Sequence, residues 1–376
     1  MAKTVVILGG SYVGIATAHG LLKNTLPKIP DLKVVLISPS THLYWNMAAP
    51  RAVLPNGFKS DEQVFQPIAP AFSKYPKGSF TLVEGKAKSV DPEGHTVVVS
   101  TSSGEQTYSY DQLVVATGAS FANGLPYKQA GSHKEMLENL HDLRRKIADA
   151  QSIVLAGAGP TGVETAGELG YEYGAKGKMI TLITDSGVVL PGLMEGVGKT
   201  AEKELRKLNV QIVHNTRVTN ATPKGSRTEL TLSSGDSLLV DLYIPTVGVR
   251  PNTSFLPKKL LDERDNLRVD KYLRVESATD MWASGDVTNA QVKQFVYASK
   301  QIPQLVKNLD AVLSGNTADV SEYKKDDKTM QAVPLGRSKG TGQMGNFKLP
   351  SFLVWMAKGR NFMTPKLSSF VATGTI

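Results

Sequence analysis

The chain has 376 residues, 41% of them hydrophobic and 20% charged, with a formal net charge of +9 and no cysteine. That length suffices for two or three domains with sizeable cores, and no apolar run approaches the roughly 18 residues of a membrane span. The absent thiols exclude disulfides, thiolate nucleophiles, zinc–thiolate sites and any dithiol relay. The positive charge suits anionic ligands, an anionic membrane surface or nucleic acid without choosing among them.

Met1-Ala2-Lys3 leads straight into an apolar strand over 4–8, so we expect no secretory signal and a cytoplasmic protein, at most peripheral on a membrane. Gly9-Gly10-Ser11-Tyr12-Val13-Gly14 forms the turn after that strand, and a helix opens at 15–22. A second strand over 33–37 ends in Ser38-Pro39-Ser40. A dinucleotide-binding unit usually ends there in an acid that grips the ribose hydroxyls; here the grip is missing or is replaced by a serine hydroxyl or a backbone group. The loop 42–51 carries one arginine, Arg51, which by itself reads as a solvated surface charge.

Alternation over 80–99, with a turn at 91–94, predicts antiparallel strands. Residues 111–118 read as a strand running into Thr117-Gly118, and a helix of mixed charge follows at about 134–150. The chain then reaches IVLAGAGPTGVETAGELG at 153–170. A short buried-type strand ends in Gly157, Gly159 and Gly162 at G-x-G-x-x-G spacing, and a helix follows at once. That context makes the spacing a dinucleotide signal. The first glycine permits the tight turn, the second lets a pyrophosphate approach the backbone, and the third lets the helix pack on the strand. Gly157 and Gly162 both stand 148 residues after their counterparts Gly9 and Gly14, although Ser11 replaces the middle glycine of the first copy.

The second unit echoes the first. A strand over 178–183 closes on Thr184-Asp185, a helix covers 197–208, and alternating strands fill 210–239. Asp241 to Gly248 repeats the Asp-to-Thr-Gly ending of 111–118. Two mononucleotide-type units in series are the simplest reading. After the loop 250–253, an apolar strand stops at Gly285-Asp286 just before a helix over 295–313. Asp286 is placed to accept hydrogen bonds from hydroxyls or to cap that helix. In 350–363, Phe352, Trp355 and Met356 share one helical face near Lys348, Lys358 and Arg360. That pattern suits an anionic bilayer, the protein's own core, or a homodimer partner.

The two glycine motifs, Ala116-Thr117-Gly118, Thr246-Val247-Gly248 and Trp282-Ala-Ser-Gly285-Asp286, in this order and over essentially the whole chain, resemble the two-dinucleotide-binding-domain flavoproteins. Asn46-Met-Ala-Ala-Pro-Arg51 and Gly162-Val-Glu164 resemble the ferroptosis-suppressor, or apoptosis-inducing-factor-2-like, branch. The resemblance implies an α/β fold with two Rossmann-like, three-layer domains, the second inserted in the first, and a small α+β C-terminal region. FAD would lie in residues 1–121 and 249–313, NADH or NADPH in 122–248, and the C-terminal region would be 314–376. The pyrophosphate turn would be Gly9, Gly10, Ser11, Tyr12, Val13 and Gly14, with Thr117 and Gly118 beside it. Arg51 would reach the FAD, Val83 would meet its adenine end through the backbone, and Asp286 would bind its ribityl and phosphate region. Gly157, Gly159 and Gly162 would seat the nicotinamide nucleotide, with Glu164 near the flavin contact and Tyr297 beside the isoalloxazine where an acceptor docks. Some members carry a myristoylated Gly at position 2; this chain has Ala2.

The expected chemistry belongs to the cofactors, which the protein aligns. We expect hydride to pass from NAD(P)H to the flavin, and electrons then to pass to a directly reached two-electron acceptor such as a quinone. Glu164 is expected to orient the nicotinamide or tune the flavin. Thr184 holds the place of the acid that favours NADH, with Asp185 one residue late and no arginine nearby in sequence, which tips the choice towards NADH. Two alternatives are a reductase of a small redox protein and a nucleotide-sensing, pro-death protein that binds nucleic acid. The chain has no aromatic–basic nucleic-acid motif, which counts against the last. No metal site is expected.

Overall fold

The computed structural model describes residues 3–121 and 124–376. Ala2, on which the missing myristoylation glycine rests, lies outside them, as do residues 122 and 123 at the expected boundary of the central unit. Two parallel sheets organise the chain. The first has the strand order Met281–Ala283, Gln112–Val115, Thr4–Leu8, Lys33–Ser38, Phe80–Glu84. The second runs Val210–Val213, Met179–Ile183, Ser152–Ala156, Leu242–Pro245. Continuous apolar runs such as Val5–Leu8 and Ile153–Ala156 are buried on both faces, as parallel strands require.

Each sheet carries the same turn. The strand Thr4–Leu8 passes through Gly9, at φ 116°, into the helix Tyr12–Asn24; Ser152–Ala156 passes through Gly157, at φ 108°, into Pro160–Tyr173. A Cβ on Gly14 would lie 1.8 Å from the Gly9 carbonyl oxygen, and one on Gly162 would lie 1.9 Å from that of Gly157. Helix and turn approach too closely for any side chain at either position, so the repeat at 148 residues is a repeat of geometry.

Phe80–Glu84 departs from its expected antiparallel pairing. It joins the first sheet as a parallel edge strand, with Ile37 opposite Val83, and the antiparallel sheet begins at Lys86. That sheet comprises Lys86–Asp91, Thr96–Thr101 and Gly104–Ser109; its counterpart in the second unit is Val218–Lys224, Arg227–Leu232 and Ser237–Val240. In the same way Val210–Val213 pairs parallel with Met179–Ile183. The alternation of side chains could not separate these edge strands from the hairpins that follow them.

The chain leaves the first sheet after Val115, builds the second, and returns at Met281. Ala119–Phe121 and Val249–Pro251 pair antiparallel where it departs and comes back. The C-terminal region adds the strands Met330–Leu335, Lys339–Met344 and Phe347–Lys348 and short helices after them. It touches both units. The backbone of Leu335 and Gly336 packs against Gly167 of the second unit's helix. At its far end the helix Leu367–Thr373 lies on the first unit's helix, where the His19 ring nitrogen Nε2 meets the Val371 carbonyl at 2.8 Å.

Candidate functional site

A cavity of about 1290 Å³ opens at the carboxyl ends of the first sheet's strands, where open α/β sheets bind their ligands. Drug-sized pockets span roughly 300–1,000 Å³, so this one has room for more than a single compact ligand. Its walls come from all three parts of the chain. Gly9 to Val13, Thr117, Gly118 and Asp286 line it from the first unit, Pro160, Thr161 and Glu164 from the second, and Met330, Met356, Lys358 and Met363 from the C-terminal region.

The two helix starts suit phosphate. The cap positions are Ser11 and Gly159, and neither helix has a side-chain hydrogen bond to its first turn. Their leading N–H groups are therefore unclaimed by side chains and carry the positive end of the helix dipole. Nothing lies within 4 Å of the place a Cβ would take on Gly159 or Gly118, so a ligand can approach the backbone there. The residues present fit a dinucleotide.

Ser38 does not replace the missing ribose acid. Its hydroxyl is buried and donates to the Ser40 carbonyl at 2.7 Å. Asp286 is not a helix cap, because Gln294 holds that position. Its carboxylate lines the cavity and accepts from Lys128 Nζ at 2.5 Å, while Lys293 Nζ donates to the Asp286 carbonyl at 2.5 Å. Burial pushes the Lys293 ammonium below its ordinary range. Gln301 Oε1 accepts from Gly285 N at 2.8 Å and from Ser284 Oγ at 2.9 Å, which fixes the turn before Asp286. Thr117 and Asn252 exchange hydrogen bonds at 2.8 Å, tying the departing segment to the returning one beneath the cavity wall.

Glu164 is 4% exposed and pairs with Lys358 Nζ at 2.5 Å. Burial raises its carboxyl above the usual range, and Lys358 opposes that rise. Gly157, Gly159 and Gly162 are not among the cavity-lining residues; their helix lines it through Pro160, Thr161 and Glu164.

Three further residues of the expected site are not among those that line the cavity. Arg51 is neither solvated nor among the cavity-lining residues. It is buried, makes a bidentate pair with Glu168 at 2.9 and 2.8 Å, and turns away from the cavity that its neighbours Ala49 and Pro50 line. Val83 is also outside the wall; it pairs with Ile37 in the sheet, and Gly85, Lys86 and Ala87 line the cavity beyond it. Tyr297 is buried behind its helix, with its hydroxyl donating to the Lys328 carbonyl at 3.2 Å, while Phe295, Val296 and Ala298 face the cavity. Lys128, Lys293 and Gln301 went unnoticed in the sequence, where isolated polar residues in loops and helices carry no motif. Lys358 stood out only as a basic neighbour of an aromatic face.

Two parallel-sheet, nucleotide-binding cores that share one cavity define the fold of the two-domain flavoprotein oxidoreductases. The chain belongs to the pyridine nucleotide-disulphide oxidoreductase family, which residues 3–308 match. With no cysteine, it has no side chain for the disulphide half of that description. It is 42% identical to oxidoreductase ptaL of Pestalotiopsis fici, over 94% of each chain. It is 26% identical to human ferroptosis suppressor protein 1, over 96% of this chain and 93% of that one. Its fold superposes on the sulfide:quinone oxidoreductase of Aquifex aeolicus with a TM-score of 0.78 at 20% identity, covering 100% of this chain and 92% of the other. Among the described residues no helix is long and apolar enough to cross a membrane, and no group of His, Asp and Glu could hold a metal ion.

Proposed function

We propose that the protein is an FAD-dependent NAD(P)H oxidoreductase that delivers electrons to an apolar, quinone-type acceptor. The observation that carries this reading is the composition of this large cavity, with two uncapped glycine-turn helices on one side and a methionine-rich C-terminal wall on the other. When bound, the flavin supplies hydride acceptance from the nicotinamide and electron transfer onward. The residues of the chain supply the rest. The turn Gly9–Val13 holds the flavin pyrophosphate with its N–H groups, and Asp286 accepts from the hydroxyls of the ribityl chain. The start of the helix Pro160–Tyr173 holds the nicotinamide nucleotide's phosphates. Glu164, fixed by Lys358, orients the nicotinamide end. Residues 1–121 with 249–313 form the flavin domain, and 122–248 the nicotinamide domain.

NADH is the favoured donor. Asp185 is exposed one residue beyond the buried Thr184, at the end of the strand Met179–Ile183, and a carboxylate there repels a 2′-phosphate. Met330, Met356 and Met363 offer a polarizable surface that adapts to flat apolar rings. The same region carries an exposed apolar face, with Phe347 at 60%, Phe352 at 63% and Met356 at 58% exposure. The exposed Lys348 stands next to Phe347, which suits an anionic bilayer as the source of the acceptor. The sulfide:quinone oxidoreductase of Aquifex aeolicus, whose fold the chain shares, has a quinone in its name, and the proposed acceptor is of that class.

The test is direct. Purified protein should be yellow, bleach anaerobically on addition of NADH, and recover its colour on addition of a soluble quinone. Folded, colourless protein that does not take up FAD refutes the reading.

A further inference from the structure

The segment Trp355–Met363 has an unusual backbone. Trp355–Gly359 is a π-helix, and two consecutive non-glycine residues, Phe362 and Met363, have φ of 51° and 60°. Such wide turns and left-handed residues persist only where the surroundings over-determine them, and they gather at functional sites. This segment presents Met356, Ala357, Lys358 and Met363 to the cavity.

The surroundings that hold it converge on Arg51. Arg51 Nη2 donates to the Gly359 carbonyl and Nη1 to the Arg360 carbonyl, each at 2.9 Å. These are carbonyls at the end of the π-turn, which lack partners within it. The guanidinium lies 4.7 Å from the centre of the Phe362 ring. Its remaining edge is held by Glu168, on the second unit's helix; the two side chains are 4% and 1% exposed. Trp45 Nε1 adds a hydrogen bond to the Phe362 carbonyl at 2.9 Å. One buried guanidinium thus joins the short helix Ala49–Ala52 of the first unit, the helix of the second and the C-terminal segment.

We propose that Arg51 and Glu168 are positioning residues. They lock the strained segment Trp355–Met363 against the cavity, and so set the acceptor wall and the grip of Lys358 on Glu164 without touching the cofactor. This rests on the function proposed above. Only a planar fork reaches the carboxylate and both carbonyls together, so a lysine at position 51 keeps the charge and loses the lock. Looseness of about 1 Å near a reacting centre costs about a hundredfold in rate, and the partial loss of the lock in Arg51→Lys is expected to cost about tenfold.

The experiment compares wild type, Arg51→Lys and Trp45→Phe, the last loosening the same segment from another side. Flavin affinity is read by fluorescence, flavin reduction and quinone reoxidation by stopped flow, and hydrogen exchange of 355–363 by mass spectrometry. Expected in both variants are faster exchange confined to that segment, quinone reoxidation weakened about tenfold in apparent KM, and FAD affinity within about twofold of wild type. If Arg51→Lys loses about tenfold or more in FAD affinity while exchange and quinone KM stay put, Arg51 is a cofactor ligand and the proposal is overturned. Unchanged exchange and kinetics overturn it as well. Should Arg51→Lys fail to fold, Glu168→Gln and Trp45→Phe carry the same readouts. If wild type itself shows no flavin reduction, the functional reading fails, and the exchange measurement still decides whether Arg51 locks the segment.

Discussion

Lys358 reaches across 194 residues of sequence to place its ammonium 2.5 Å from Glu164 Oε1, inside the cavity wall. The carboxyl is pulled both ways: burial favours its neutral form and Lys358 its charged form, and burial prevails. A group whose folded pKa is raised stabilises the fold fully below its unfolded value, and that contribution is lost as pH rises through the folded value. As pH rises above the ordinary carboxylate range, wild type should therefore lose thermal stability relative to Glu164→Gln. In a Lys358→Met background the decline should start at the same pH and continue to higher pH, because the opposing charge is gone. Melting curves over that rise in pH check both statements; parallel curves would contradict them.

His19 provides the opposite case. Its ring lies between the Tyr75 hydroxyl at 2.9 Å and the Val371 carbonyl at 2.8 Å, stacked on Phe72, and burial lowers its pKa to about 4. The neutral ring stabilises the fold above the unfolded value near 6.5, and that contribution is lost as pH falls through about 4. Wild type should lose melting temperature over that window more steeply than His19→Gln. The helix Leu367–Thr373 should exchange its amides first.

Gly162→Ala should damage the second unit locally. The new methyl would lie 1.9 Å from the Gly157 carbonyl oxygen and 2.7 Å from Thr246 Oγ1, so helix and turn must separate. Overpacking of this kind costs about 1–3 kcal/mol, and it moves the N–H groups that receive the phosphates. NADH affinity should fall by about tenfold or more while flavin remains bound. Titration of both ligands separates the two effects.

Asp185→Asn should relax donor choice. Removing one exposed negative charge from the end of the strand should raise the kcat/KM ratio of NADPH to NADH by about threefold to tenfold at low salt, and less at high salt. Steady-state kinetics with both donors would show it, and a ratio that does not change would place the selectivity elsewhere.

Phe347→Ser with Phe352→Ser should weaken binding to anionic vesicles by about tenfold, since each ring removed is worth roughly 1.5–3 kcal/mol when fully buried and less at an interface. Turnover with a water-soluble quinone should be unchanged, because neither ring lines the cavity. Co-sedimentation with phosphatidylserine-containing vesicles measures the first effect.

Much of the architecture could be read from residues close together in the chain. Strand, glycine turn and helix follow one another within about twenty residues, and their signals are steric and local. The two turns, their 148-residue repeat and the Gly285-Asp286 ending were therefore visible in the sequence, and so was the absence of any thiol. Arg51 shows where local reading stops. Alone in its loop it looked solvated, and resemblance placed it on the cofactor. In the fold it is sealed against Glu168, 117 residues away, and Gly359, 308 residues away. Tyr297 and Val83 likewise carry the right residue names at positions whose orientation only the packed helix and the paired strand decide. Burial and partner choice are properties of surfaces that meet after the chain has folded, so the sequence by itself determined the nucleotide-binding turns, and tertiary structure decided which charges face the cavity and which hold it in shape.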